Sequence, residues 1–351
     1  MGNSVILRGR APVRIDFSGG WTDVAIFTEE SKGLVVNATI DIYSYVTVKK
    51  LLNGGHEENL KNNTVRIYSA DFDIYEEAEE VKQLEYNGNV DLAKAAIKLM
   101  EIEGGLELIT RSNAPAGSGL GTSASMGVAL IGALSAFKNL PLLPYELAEQ
   151  ASLIERQELG ILGGKQDHYA SAIGGINFME FIGEEVKVSK LQLSQDILYE
   201  LEKNLVLCYT GKSRLSGDIH RKVREAYETK EKGTRQALRN LKSIALEMKN
   251  ALLREDLKIF GELLNENWKN QKALHHSVTN PQIESIFEIA MANGAIGGKA
   301  CGAGGGGCLL FYAQPDREHL VRKKLQEANV SVIDFNFEFN GLQTWKAKET
   351  K

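Results

Sequence analysis

Cysteine is scarce in this chain: Cys208, Cys301 and Cys308 are the only 3 among 351 residues. Their spacing gives neither a disulfide framework nor a metal-ligand set, and points to a reduced, cytoplasmic setting. Nowhere do roughly 18 apolar residues follow one another, and Met1 to Leu7 carries no positive stretch ahead of an apolar core. No membrane span or signal peptide is therefore expected. Positive charge is not in excess, with 41 Lys and Arg against 46 Asp and Glu and a net charge of -5. Without a basic stripe nothing calls for a nucleic-acid partner. Histidine pairs at metal-ligand spacing with a carboxylate are missing. His275 and His276 are adjacent, His56, His168, His220 and His319 are isolated, and only His168 gains interest, from its neighbour Asp167. Repeats are absent, and 43% hydrophobic with 25% charged positions excludes a disordered chain. The length suggests two packed domains.

Glycine is what the chain has in quantity, 34 residues against 6 prolines, and it is clustered. Clusters fall at Ser18-Gly19-Gly20, Gly117-Ser118-Gly119-Leu120-Gly121, Gly160 to Gly164 with Gly174-Gly175, and Gly302 to Gly307. Such clusters mark backbone that turns sharply or approaches a ligand closely. Around the first, Val5 to Phe17, Leu34 to Ile40 and Tyr43 to Val48 read as strands. The second lies between a strand pattern, Leu106 to Thr110, and a buried helix pattern, Ser123 to Phe137. Strand, glycine loop and helix start aim free N–H groups and a helix dipole at one place, which suits a phosphate. Gly302-x-Gly304-x-x-Gly307 matches a dinucleotide fingerprint formally, but it opens the short apolar stretch Cys308 to Tyr312 and no helix, so a nicotinamide-dependent oxidoreductase is excluded. A P-loop fails as well: Gly164-Lys165-Gln166 lacks the hydroxyl residue, and neither it nor Gly211-Lys212-Ser213 has the upstream glycine. Val223 to Leu274 reads as amphipathic helices, Asn280-Pro281 as a helix start, Leu309 to Tyr312 as a strand, Pro315 to Ala328 as a helix and Val330 to Phe339 as a last strand. Composition changes near Ile182 to Leu205, the expected junction.

In order and chemistry these clusters resemble the three motifs of the GHMP small-molecule kinases. Motif one is Arg10-Ala11-Pro12-Val13-Arg14-Ile15-Asp16-Phe17-Ser18-Gly19-Gly20-Trp21-Thr22-Asp23. Motif two is Pro115-Ala116-Gly117-Ser118-Gly119-Leu120-Gly121-Thr122-Ser123-Ala124, and motif three is Lys299-Ala300-Cys301 followed by Gly302 to Gly307. The resemblance implies an α+β, two-domain GHMP kinase fold. A ribosomal-protein-S5-like N-terminal domain would span residues 1–190 and carry the ATP-phosphate loop, and a ferredoxin-like split βαβ domain would span 191–351. Val36 to Asp41, Leu159 to Ala170, Gly175 to Phe181 and Tyr209 to Arg214 are most similar to D-glycero-D-manno-heptose 7-phosphate kinases. Trp21 departs from that group and is shared with L-fucokinases, which keeps a fucokinase-like specificity as the alternative. A non-catalytic sugar sensor on the same fold is the other.

The resemblance also implies roles. Pro115, Gly117, Ser118, Gly119, Leu120, Gly121, Thr122 and Ser123 would bind ATP. Ser123 and Glu155, or Glu158 in its place, would ligate Mg2+, one hydroxyl and one carboxylate leaving room for water and phosphate oxygens. Asp167 would be the base for the sugar hydroxyl, with Arg14 keeping it ionised. Asp23, an acceptor-only carboxylate, would fix sugar hydroxyls, with Trp21 beside it. Gly20 stands where galactokinases carry a sugar-binding glutamate, and would leave room for an incoming phosphate. Lys165 and Arg214 are the expected cations for that phosphate. Gly304 and Gly305 would let motif three approach the acceptor. Asn37, Thr39 and Asp41 share one strand face, either sugar-lining or solvated. Oligomeric state is not legible.

Overall fold

The computed structural model describes residues 5–51, 63–211 and 216–348. Runs of β-branched and aromatic residues form long strands at the N-terminus: β1 (Val5–Ser18), a short helix α1 (Ala25–Thr28) and β2 (Gly33–Lys50). There follow β3 (Val65–Ser69), β4 (Ile74–Ala78), α2 (Asp91–Leu99), β5 (Leu106–Ser112), α3 (Thr122–Phe137), α4 (Pro144–Leu153), α5 (Gln166–Ile173), β6 (Ile176–Ile182) and β7 (Glu185–Lys190). These strands join one sheet in the order β1-β2-β5-β3-β4, with β6 on the free half of β2 and β7 beyond it. β2 is long enough to serve two partners: Ser44–Lys50 pairs β5, while Gly33–Ala38 pairs β6.

The second half comprises α6 (Gln195–Asn204), β8 (Leu205–Tyr209), α7 (Ser216–Glu228), α8 (Lys232–Leu253), α9 (Leu257–Lys272), α10 (Pro281–Ala292), β9 (Ala295–Ala300), β10 (Cys308–Ala313), α11 (Glu318–Glu327), β11 (Ser331–Ile333) and β12 (Gln343–Lys348). Its antiparallel sheet has the order β11-β8-β10-β9, with helices crossing from β8 to β9 and from β10 to β11, which is the split βαβ arrangement. The expected Asn280 cap is present, its side chain accepting from Ile283 N. The last strand is shorter than the expected Val330 to Phe339. Beyond Ile333 the chain crosses back, Phe337 bridging Ile40 and β12 pairing with β1. The expected division at 190/191 coincides with the end of β7, but residues 343–348 belong to the first sheet, so the unit from 191 to 351 is not closed on itself.

Both faces of the first sheet are covered, which is why β2 is buried almost continuously over its first half. On one face Ala11, Val46 and Val48 pack under α2, α3, α4 and α5. Small residues let α3 come close: a Cβ on Gly9 would lie 3.0 Å from Ala129 O. On the other face Val13, Ile15, Phe17, Val36 and Ile40 meet Phe260, Leu264 and Leu310 of the second half. The rings of Phe17, Phe260 and Tyr312 run edge to face across this boundary, at 5.2 and 5.4 Å between centroids. All three cysteines are buried and free, and among the described residues no helix is long and apolar enough to cross a membrane.

Close packing of α9 on β9 depends on glycine. A Cβ on Gly297 would meet Gly261 O at 2.0 Å, a backbone atom that cannot swing aside. Gly297→Ala should therefore lower stability by about 1–3 kcal/mol, read as a shift in the denaturation midpoint; an unchanged midpoint contradicts this packing.

Candidate active site

The loop from β5 to α3 owes its shape to backbone that only glycine adopts freely. Gly117, Gly119 and Gly121 have φ of 66°, 74° and 75°. The loop is braced by motif three: a Cβ on Gly302 would sit 2.8 Å from Gly119 Cα, and Cys308 N donates to Ser118 O at 2.7 Å. Gly121 precedes α3 without any side-chain cap, and Thr122 and Ser123 of the first turn line the cavity; an uncapped helix start of this kind suits an anion.

Arg14 on β1 ties this loop to α5. Its Nε and Nη2 donate to the two carboxylate oxygens of Asp167 at 2.6 and 2.7 Å, and Nη1 donates to Gly119 O at 2.7 Å. Its backbone N donates to Leu120 O. Burial works against the Arg14 charge, but Asp167 and Asp16 outweigh it and hold the guanidinium pKa above its usual value. Asp167 occupies the first turn of α5, and a Cβ on Gly121 would lie 3.0 Å from its Oδ2.

Motif one curls over this pair. Thr22 Oγ1 donates to Gly19 O and accepts from Leu34 N, fixing the turn that carries Trp21 at a φ of 79°. The Trp21 ring packs 4.4 Å from that of His220 on α7. Burial lowers the His220 pKa to about 4 against the pull of Asp167 and Glu155, so the imidazole is neutral near pH 7. Asp23 accepts from Gln166 N at 3.1 Å, and a Cβ on Gly164 would fall 1.9 Å from its Oδ2. Burial, with Asp167 nearby, pushes the Asp23 carboxyl up to about 6. Asp16, two residues beyond Arg14, is bonded by Lys299 Nζ at 2.7 Å.

Glu155 lies on a single π-helical turn, Ile154–Glu158, after α4. Although burial would raise its pKa, the contact with His168 Nε2 at 2.6 Å and the Ser123 hydroxyl hold it below the usual value. Glu158 is exposed and accepts from Tyr86 OH at 3.3 Å.

A cavity of ≈ 240 Å³ gathers Arg14, Gly20, Trp21, Asp23, Gly117, Ser118, Gly119, Gly121, Thr122, Ser123, Glu155 and Asp167. A larger one of ≈ 890 Å³, with Phe72, Tyr86, Met126 and Leu130 in its walls, shares Gly117, Thr122, Ser123 and Ile161 with it. Several expected residues lie elsewhere. Lys165 is turned away: its buried ammonium is held by Glu149 and Glu184, so it is not free for a phosphate. Gly304 and Gly305 face Val278, with Gly305 N donating to Val278 O at 2.7 Å; Gly302 and Ala303 line the cavity instead. Leu120 is fully buried in the core and contributes only its carbonyl to Arg14, and Pro115 forms a turn through Ser118 N. Gly20 does line the cavity, and a Cβ there would sit 2.3 Å from Asp16 Oδ2, so the position takes no side chain. Arg214 lies outside the described residues. Asn37, Thr39 and Asp41 have internal partners: Gln166, Glu338 O and Asn336.

Sequence reading missed Asp16, Lys299, Arg156, Gln166 and His220. Arg14 and Asp16 share a strand face by the alternation of β1, a signal that was present. His220 had none, because α7 reaches the site only through tertiary packing.

Ionised Asp23 is costly. Its carboxyl rises from 3.8 to about 6 in the folded chain, so at neutral pH ionisation costs about 3 kcal/mol of stability. That cost is absent below the unfolded value and complete above the folded one. Asp23→Asn should therefore raise the melting temperature at pH 7 but not near pH 4; an equal effect at both contradicts this.

The GHMP kinases N terminal domain model matches residues 91–175, and the GHMP kinases C terminal model matches residues 248–331. The chain is 34% identical over 348 residues to the D-glycero-alpha-D-manno-heptose 7-phosphate kinase of Campylobacter jejuni, covering 97% of this chain and 99% of that one. It is 26% identical to the L-fucokinase/L-fucose-1-P guanylyltransferase of Bacteroides fragilis over 92% of this chain and 36% of that protein. Among solved structures, a D-glycero-D-manno-heptose 1-phosphate kinase from Bacteroides thetaiotaomicron superposes with a TM-score of 0.79 at 32% identity, covering 98% of this chain and 100% of that one.

Proposed function

Since the chain belongs to the GHMP kinases and is a sugar phosphate kinase of that family, we propose that it transfers the γ-phosphoryl group of ATP to the anomeric hydroxyl of D-glycero-D-manno-heptose 7-phosphate. The 1,7-bisphosphate so formed would feed nucleotide-activated heptose synthesis. The observation that carries this reading is the bidentate Arg14–Asp167 pair, set at the junction of a glycine loop and a cavity lined by Asp23.

Phosphoryl transfer needs alignment and charge neutralisation more than covalent help. The nucleoside occupies the larger cavity, where Phe72 and Tyr86 offer rings for the base, and its phosphates follow the loop to the start of α3. Ser123 and Glu155 supply one hydroxyl and one carboxylate, oxygen donors that fit Mg2+. When bound there, Mg2+ would neutralise charge on the phosphates. The anomeric hydroxyl gives its proton to the Asp167 carboxylate as its oxygen bonds to phosphorus and the bond to the ATP β-phosphate breaks. Arg14 orients that carboxylate by donating to both of its oxygens. Asp23 accepts from another sugar hydroxyl, while Trp21 and neutral His220 wall the cavity.

With Lys165 committed, Arg156 is the cation for the acceptor's own phosphate. It lines the cavity, and its guanidinium is only loosely paired, 3.4 and 3.5 Å from Glu184, which Lys165 already holds at 2.8 Å. Trp21, together with the fucokinase relative, favours a second reading in which L-fucose is the acceptor.

ATP consumption on heptose 7-phosphate, heptose 1-phosphate, unphosphorylated heptose, L-fucose and galactose, with the product identified by phosphorus NMR, tests the substrate. Highest kcat/KM on heptose 7-phosphate is expected, and preference for L-fucose overturns it. Asp167→Asn should reduce kcat by about 100-fold or more while ATP and sugar still bind. Arg156→Ala should raise KM for the sugar phosphate about 10-fold with KM for ATP unchanged, and equal effects on both would remove Arg156 from the acceptor site.

A further inference from the structure

The ion pair between Asp16 and Lys299 has no role in the chemistry above, yet it is among the most deeply buried in the molecule. Lys299 is fully buried on β9, and its Nζ donates to both the backbone carbonyl and the Oδ2 of Asp16, each at 2.7 Å. Asp16 is itself only 4% exposed. Its second carboxylate oxygen, Oδ1, is buried and has no hydrogen-bond partner among the described residues. Arg14, two residues before Asp16, is committed elsewhere, giving two N–H groups to Asp167 and one to Gly119 O. A buried carboxylate oxygen without a partner is costly, and beside a cavity a ligand hydroxyl or water can satisfy it. Asp16 borders the ≈ 240 Å³ cavity. Its carboxylate is fixed there by Lys299 and fills the space beside Gly20, where a Cβ would lie 2.3 Å from Oδ2.

We propose that Asp16 Oδ1 accepts a hydrogen bond from a non-reacting hydroxyl of the acceptor sugar, and that Lys299 is the positioning residue that holds it in place. The ligand class is a polyol. Asp16 comes from the first sheet and Lys299 from the second, so this contact is complete only when the two halves are packed together. The inference rests on reading the cavity as the acceptor pocket.

Asp16→Asn exchanges the acceptor for an amide of the same shape. Steady-state kinetics should show KM for the sugar raised about 10–100-fold and KM for ATP changed less than about twofold, as for loss of one hydrogen bond to a charged group. Monodeoxy analogues of the sugar give the readout that a merely structural role would not move. In the parent, removal of one particular hydroxyl should be penalised, and in Asp16→Asn that penalty should vanish while those at other positions persist. An unchanged sugar KM, equal rises for sugar and ATP, or penalties that all survive would overturn the proposal. If Asp16→Asn fails to fold, the same comparison is made on Asp16→Asn with Lys299→Met, which removes both buried charges together. Kinetics are run on whichever sugar the parent phosphorylates, so a different acceptor overturns the earlier reading alone; a parent that phosphorylates none overturns both.

Discussion

One guanidinium organises the site. Arg14 gives two N–H groups to Asp167 and a third to Gly119 O, and its backbone N meets Leu120 O, so β1, the glycine loop and α5 share a single side chain. With Arg14 only 5% exposed, removing Asp167 would leave a buried guanidinium without its main counter-charge, at a cost of about 3–5 kcal/mol. The glycines follow from this constraint. Gly121 has to stay clear of Asp167, Gly119 has to lie against Gly302, and both need a left-handed backbone to do so. Orientation of the proposed base and shape of the glycine loop are therefore one structural fact.

A second pair, Asp16 with Lys299, repeats the device across the boundary between the halves. Arg14 and Asp16 project from one face of β1, one charge directed to the first half and one to the second. Between them the cavity is lined mainly by acceptors, Asp16, Asp23 and Asp167, which suits hydroxyl recognition; the cation Arg156 also borders it and continues into the adjoining ≈ 190 Å³ cavity. Asp23 shows the tension this creates, since its carboxyl is pushed up by burial and by Asp167 yet has to ionise to act as an acceptor on both oxygens. Stability and acceptor binding pull against each other at that residue.

Much of the fold was legible because the pattern was local. β-rich runs pointed to β1 and to the two parts of what is one strand, β2, the small apolar run to α3, and Asn280-Pro281 to the start of α10. The return of the chain through Phe337 to β12 was not legible, because exposed Gln343–Lys348 carries no strand alternation and is held by pairing with β1. At the site, Arg14, Asp23, Glu155 and Asp167 could be picked out by motif and do meet in one cavity. Lys165 could not be judged, since its partners Glu149 and Glu184 are distant in sequence and nothing local shows that they neutralise it. His220 was invisible for the same reason in reverse, its contact with Trp21 existing only in the folded chain.

The dependence of base and loop on a single residue can be measured by a double-mutant cycle in kcat/KM, comparing Arg14→Met, Asp167→Asn and the double variant with the parent. If the two side chains act as a unit, the double variant loses little more than the worse single variant. Losses that simply multiply would show that Arg14 and Asp167 contribute independently, and would contradict the coupling on which the site is built.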